Sequence, residues 1–334
     1  MGANGGVTRF GLSLPNRAVM FGIPAGVMLD TAVAAEASGW FDSVWVGDNL
    51  VSRPRLEAIV TLSALAARTT RLQLGTICLA SFTMRNPLML ALQWASLDHL
   101  SGGRTILAVC NGFPASAGPG FATEMAAMGV RSTERVGRVE EGIELLRAFW
   151  GDGPVTHHGR YHHYDGVEVL PKPARRVPIV LAVNPEGAPP ERVERALRRV
   201  ARLADGWQTD GTPVGVFQER WERIRAYAEE YGRAGQLTDA SLHLMVNIDH
   251  DAAKARADAM AFLDRYYGRG AFSAEKLDAW LATGPPEAVV EKVLAYVGAG
   301  CTTVVLRFVS FDQRTQLDRA LADVMPTLAR ETSA

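Results

Sequence analysis

Gly39-Trp40-Phe41-Asp42-Ser43-Val44-Trp45-Val46-Gly47-Asp48-Asn49 decides the fold of this chain. Gly39 ends a helix and a tight turn follows. Ser43–Val46 is then a short, mostly apolar run bounded by turn residues, the pattern of a strand buried on both faces. Gly47 punctuates it, and Asp48 and Asn49 stand at its C-terminal tip. In a parallel α/β barrel that tip is where chemistry is done. Gly-Asp-Asn is also ordinary turn chemistry, so spacing alone reads Asp48-Asn49 equally as a working pair or as a turn.

The same strand–turn–helix unit recurs outward from this stretch. Strands are expected at Arg9–Leu14, Ser43–Val46, 72–78, 105–110, 178–183, 206–209, 243–248 and 301–308. Helices are expected at 30–38 (capped by Asp30), 55–68, 87–100 with Pro87 in its first turn, 132–150, 191–204, from 212 or 213 to about 234, 251–267 extended through 280, 285–298 and 315–328. Two segments break the alternation. Residues 111–131, with Pro114, Gly118, Pro119 and Gly120, are too long for a plain connector, and 155–170 reads as a small surface hairpin. Eight βα units with no composition shift predict a single (β/α)8 TIM-barrel domain over 1–334, with a long loop after strand four and a β-hairpin before strand five. An open doubly wound sheet shows the same alternation. The count of eight, and the lack of Gly-x-Gly-x-x-Gly after the first strand, favour the barrel.

Composition narrows the function classes. A net charge of −1 gives no electrostatic footprint for nucleic acid. No apolar run reaches membrane-spanning length, and the first 20 residues lack a signal-type apolar core; a cytoplasmic protein is expected. Cys78, Cys110 and Cys301 lie far apart in apolar runs and read as buried thiols in a reducing compartment. Four lysines against 31 arginines, with abundant alanine and glycine, point to a GC-rich bacterial genome. Neither a nucleophile elbow nor a Walker loop is present.

Four further features could carry chemistry. Gly75-Thr76-Ile77-Cys78-Leu79-Ala80-Ser81 is either a strand with small residues at its exit or a backbone wall for a flat ring, a setting that often stores strain such as a non-proline cis peptide. Asn111, in Ala108-Val109-Cys110-Asn111-Gly112-Phe113, is a polar contact at a strand tip or a partner of the following loop. Ala182-Val183-Asn184-Pro185-Glu186-Gly187 precedes an arginine-rich helix whose first N–H groups could hold a phosphate. His157-His158 and His162-His163 invite a metal reading. Strand neighbours point to opposite faces, however, and no Cys or carboxylate joins them at ligand spacing, so no metal is expected.

Taken in order, these tips resemble the luciferase-like superfamily of flavin- and F420-dependent oxidoreductases. The resemblance runs through 34–48, Thr69-Thr70-Arg71-Leu72-Gln73-Leu74-Gly75-Thr76, Arg85-Asn86-Pro87, Leu97-Asp98-His99-Leu100-Ser101-Gly102-Gly103-Arg104, 135–150, Ala204-Asp205-Gly206-Trp207 and Gly284-Pro285-Pro286-Glu287. It implies a redox cofactor at the C-terminal face of a (β/α)8 barrel. The ring would rest on a bulge at Ile77 and Cys78, often with a cis peptide there. Asp48 would approach its polar edge, and Asn111, Gly112, Ala182, Val183, Asn184 and Gly187 would hold ring and tail. Asp48 and Asn49 are the expected catalytic residues.

The family divides into FMN-dependent monooxygenases, often served by a separate reductase, and F420 enzymes that transfer hydride. This chain lacks the large insertion of the longer monooxygenases, which favours F420 acting on an organic small molecule, with FMN as the alternative. A non-catalytic flavin-binding relative is the third reading. Relatives commonly pair through barrel helices, so a homo-oligomer such as a dimer is implied. Two departures matter. Asn49 stands where the family has His, and an amide shuttles no proton. Phe113 stands where some F420 dehydrogenases place Glu, which argues against a sugar-phosphate substrate. Phe113, Trp45 and Trp40 leave room for an apolar one.

Overall fold

The structure is a computed structural model describing residues 7–332. Its strands are β1 (Arg9–Leu14), β2 (Ser43–Val46), β3 (Gln73–Thr76), β4 (Thr105–Val109), β5 (Val155–His158), β6 (His163–Val167), β7 (Ile179–Ala182), β8 (Gly206–Asp210), β9 (Asp239–Ile248), β10 (Leu281–Gly284) and β11 (Thr303–Phe308). The helices are α1 (Ala25–Ser38), α2 (Ala58–Arg68), α3 (Pro87–Ser101), α4 (Pro119–Ala127), α5 (Arg135–Trp150), α6 (Pro190–Leu203), α7 (Val214–Glu230), α8 (Ala252–Tyr267), α9 (Ala274–Trp280), α10 (Pro286–Gly298), α11 (Gln313–Arg319) and α12 (Met325–Thr332). The sheet runs β10-β9-β11-β1-β2-β3-β4-β7-β8, and β8 pairs back to β9. Eight strands therefore close on themselves as a (β/α)8 barrel, with β10 an extra strand beside β9. β5 and β6 form the separate antiparallel hairpin.

The chain divides into two compact units. The first comprises residues 7–14, 30–45 and 183–332. There β11 lies between β1 and β9, with Thr303 level with Arg9 on one side and Ser241 on the other. Trp207 of β8 stacks on Phe217 and Trp221 of α7, so odd and even positions of β8 face opposite layers.

The second unit comprises residues 15–29 and 46–182 and carries β3, β4, β7 and α2–α5. Its helices begin and end where local chemistry dictates. Glu57 caps α2 by accepting from Val60 N–H. Asn86 caps α3 ahead of Pro87, and Gly102, at φ 70°, ends it in the left-handed region that glycine tolerates. Arg104 then binds the carbonyls of Thr69 and Leu72 at 2.8 and 2.6 Å, tying the end of α2 to the start of β3. Glu141 of α5 accepts from the backbone N–H of Tyr161 and His162 and pairs with His157, so it clasps the hairpin. Among the described residues no group of His, Cys, Asp and Glu could hold a metal ion.

Several sequence expectations are corrected. Residues 111–131 are not a loop throughout: a 3-10 turn at Ala115–Ala117 precedes α4, which Pro119 initiates. The helix expected from 251 through 280 breaks at Gly268 and Gly270, both at positive φ. It resumes as α9 under a Ser273 cap, and β10, four residues long, follows unforeseen. Asp30 lies inside α1 rather than at its cap. The helix expected at 315–328 starts instead at Gln313, under Asp312, and carries a π-helical turn at Ala320–Val324. Cys78 and Cys110 are not separate thiols. They form a disulfide across Cα atoms 6.0 Å apart, because β3 and β4 run in parallel register with Gly75 level with Ile106. Cys301 alone is a free, buried thiol.

Candidate active site

The tip of β2 is fixed from below before any ligand is considered. Asn16 Nδ2 donates to the carbonyls of Gly47 and Leu56 at 2.8 and 2.9 Å. Asp48 is 5% exposed. Its Oδ2 accepts the Ser81 N–H at 2.7 Å, and its Oδ1 lies 3.3 Å from Arg85 Nη2. Arg85 in turn reaches Glu57 Oε1 and Ser81 Oγ, each at 2.7 Å. Both oxygens of Asp48 thus act on the segment after β3. Buried, charge-assisted bonds of this kind are the strong ones.

That segment is the bulge implied by the resemblance. The Ile77–Cys78 peptide is cis. Ile77 N–H donates to Val46 O and Leu79 N–H to Ala108 O, at 2.8 and 2.7 Å, while Thr76 Oγ1 also donates to Ala108 O. Cys78 on the bulge is tied to Cys110 at the tip of β4. Asn111 and Gly112 come next, their carbonyls held by Arg135 Nη1 at 3.2 and 2.6 Å. Gly112 is required twice over: its φ is +65°, and a Cβ there would lie 2.6 Å from Ala80 O.

Asn49, Ala80, Asn111, Gly112, Phe113 and Arg135 line one cleft in this unit. Asn49 Oδ1 accepts from Arg55 Nη2 at 3.1 Å, which orients the amide. Phe113 packs at a tilt against Phe121 of α4, their ring centroids 4.8 Å apart, with the Arg53 guanidinium over both rings. Glu124, 3% exposed, anchors α4 as a cover: its Oε2 accepts the N–H groups of Leu50, Val51 and Ser52 at 3.1, 2.7 and 2.6 Å. Glu124→Ala is expected to leave the barrel folded and to undock α4, at a local cost of about 1–2 kcal/mol once water replaces the lost acceptor. Limited proteolysis within 111–131 should speed up several-fold; unchanged cleavage rates would refute this anchoring.

Ala182 is the last residue of β7. Val183, Asn184 and Gly187 belong to the other unit. There Val183 N–H donates to Gln208 O, and Val183 O accepts from Trp207 Nε1 at 2.9 Å. Asn184 Nδ2 donates to Asp210 O at 2.6 Å, and its Oδ1 accepts from Arg220 Nη1 at 2.9 Å. Gly187 turns the chain at φ +65° before α6. Asp210 also lies 3.5 Å from Lys276 Nζ.

Asp48, Asn49, Ile77, Cys78, Asn111 and Gly112 therefore fall in one unit, and Asn49, Asn111 and Gly112 share one cleft. Glu124 was not singled out by sequence; Ser81 was quoted only as the end of the stretch 75–81, and Arg85 and Arg135 only within the resemblance. Ser81 acts through its backbone N–H, which no residue type advertises, and Glu124 sits among prolines and glycines that masked its helix. The expected apolar space beside Trp45 and Trp40 is corrected. Trp45 is 1% exposed with Nε1 bonded to Ser43 Oγ, and Trp40 precedes β2, at the end opposite its tip.

The profile of a family described as luciferase-like monooxygenase matches residues 8–303. An F420-dependent glucose-6-phosphate dehydrogenase of Kineococcus radiotolerans is 28% identical, over 91% of this chain and 93% of its own. A 5,10-methylenetetrahydromethanopterin reductase of Methanolobus tindarius is 28% identical over 78% of this chain and 69% of its own. An F420-dependent secondary alcohol dehydrogenase, solved with an F420–acetone adduct, superposes with TM-score 0.81 at 18% identity, covering 96% of this chain and 99% of that one.

Proposed function

This chain belongs to the luciferase-like monooxygenase family, and on that premise we propose that it is an F420-dependent oxidoreductase passing hydride to or from an organic small molecule. The observation that carries the reading is a likeness to F420-dependent dehydrogenases along nine-tenths of both chains. In this reading a flat ring with amide edges lies on the backbone that follows β3. Its floor would be the backbone from the Ile77–Cys78 cis peptide to Ala80, and Gly112 lets the tip of β4 approach that backbone, since a Cβ there would lie 2.6 Å from Ala80 O. In this reading Asp48 holds the bulge through Ser81. Asn49 and Asn111 present amides to the polar edge of ring or substrate, and the 182–187 turn (Ala182, Val183, Asn184, Gly187) receives the tail. When bound, the deazaflavin supplies a ring carbon that accepts or donates hydride, while the protein supplies position and electrostatics. Neither Asn49 nor Phe113 exchanges a proton near neutral pH, so at those positions the chain binds and orients.

The relatives' sugar phosphate is not carried over, because Phe113 occupies the place of a glutamate. We further propose that residues 1–334 act as one domain, in the cytoplasm, as a homo-oligomer. Among the described residues no helix is long and apolar enough to cross a membrane. Titration with F420 and with FMN, followed by absorption, tests the assignment. F420 should bind at micromolar level and FMN about tenfold or more weakly. The reverse order would replace this reading with an FMN monooxygenase served by a separate flavin reductase. Binding of either without turnover would leave a non-catalytic relative.

A further inference from the structure

A group of buried side-chain nitrogens in the first unit plays no part in that reading. Trp207 faces α7, so its neighbour Gln208 faces the lumen layer. Gln208 is level with Ser241, and His243, two residues on, shares that face. His243 is level with Val305, and Arg307, two residues further on β11, shares it again. From the spacing of strands and residues, the His243 and Arg307 Cα atoms lie about 8 Å apart. Gln208 and Arg307 are 3% exposed and His243 is 9% exposed. Gln208 Nε2, His243 Nε2 and Arg307 Nη2 have no hydrogen-bond partner among the described residues. Three such orphans on one face are costly unless something else satisfies them.

The surroundings are aromatic. Arg307 lies over the rings of Phe262 and Tyr266 of α8, at 5.6 and 4.9 Å from their centroids. His243 meets the Trp280 ring edge-on at 5.8 Å. We propose that Arg307, with His243 and Gln208, is a recognition subsite for the carboxylate of an organic substrate. Charge decides between anions. Asp210, level with His243, pairs with Lys276 at 3.5 Å, and burial keeps His243 neutral, so Arg307 supplies the uncompensated charge of the subsite, which a monocarboxylate balances and a phosphate dianion exceeds. A guanidinium also matches a carboxylate in shape.

As a statement about substrate, this rests on the oxidoreductase reading; as a binding site it stands alone, and the test separates the two. Calorimetric titration of the full chain uses benzoate, its neutral analogue benzamide, and inorganic phosphate. Benzoate should bind saturably, with benzamide and phosphate about tenfold or more weaker. Arg307→Met should abolish the preference for benzoate while F420 affinity is retained. Equal affinity for benzoate and benzamide, or full benzoate affinity in a folded Arg307→Met, would overturn the subsite. Should that variant not fold, His243→Gln decides: a several-fold loss of benzoate affinity supports the subsite and none overturns it. F420 binding without benzoate binding removes the subsite alone. Benzoate binding without F420 or FMN binding removes the enzyme reading alone.

Discussion

Asp48→Ala is expected to weaken F420 binding by about tenfold to a hundredfold, the affinity equivalent of leaving one buried hydrogen-bonding group unmet, while the far-ultraviolet circular dichroism stays native. The argument rests on what the carboxylate touches. Asp48 Oδ2 holds the Ser81 N–H, and Oδ1 faces Arg85. Removing it leaves a buried N–H without its acceptor, at a cost of about 1–3 kcal/mol. Arg85 keeps Glu57 and the Ser81 hydroxyl, so the barrel survives. The bulge is what moves, and the bulge is the proposed floor for the ring. Asp48→Asn is the informative control. Its amide can still offer an oxygen to Ser81 N–H but loses the charge facing Arg85, so the loss should be several-fold smaller. Equal affinities across wild type, Asp48→Asn and Asp48→Ala would remove Asp48 from the site.

The sequence left Asp48-Asn49 balanced between turn and site, and the geometry explains why the two readings are not rivals. Asp48 works as turn chemistry does, by accepting a backbone N–H, yet the N–H belongs to Ser81, 33 residues away. Short, mostly apolar runs bounded by turn residues made β1, β2, β4 and β11 legible, as expected of strands buried on both faces. β10 was not legible, because Leu281–Gly284 is short and directly abuts a helix. The Cys78–Cys110 link escaped for a different reason. Spacing along the chain says nothing about which strand tips become neighbours, and only the β3–β4 register brings these two together. The orphaned donors at Gln208, His243 and Arg307 escaped likewise: each is unremarkable in its own strand, and only the register of three strands gathers them.

His243 gives the chain a pH signature that the carboxylates cannot imitate. Burial pushes its pKa from 6.5 to about 4; the Arg307 charge adds to the fall and Asp210 opposes it. The unfolded chain then takes up a proton that the folded chain refuses between those two values. Stability is therefore complete above about pH 6.5 and is lost as the pH falls toward about 4. The full window corresponds to about 3 kcal/mol, of which about 2 kcal/mol is gone by about pH 5, before most carboxylates begin to protonate. Urea midpoints measured between about pH 7 and pH 5 should fall more steeply in wild type than in His243→Gln, whose amide does not titrate; the slope left in the variant belongs to His162, whose pKa burial also lowers. An undiminished wild-type slope in the variant would assign the acid sensitivity to other groups. A saturating carboxylate ligand is expected to raise the midpoint at both pH values. Because Arg307 would then be neutralised, it should also reduce the slope, by letting His243 accept its proton at higher pH.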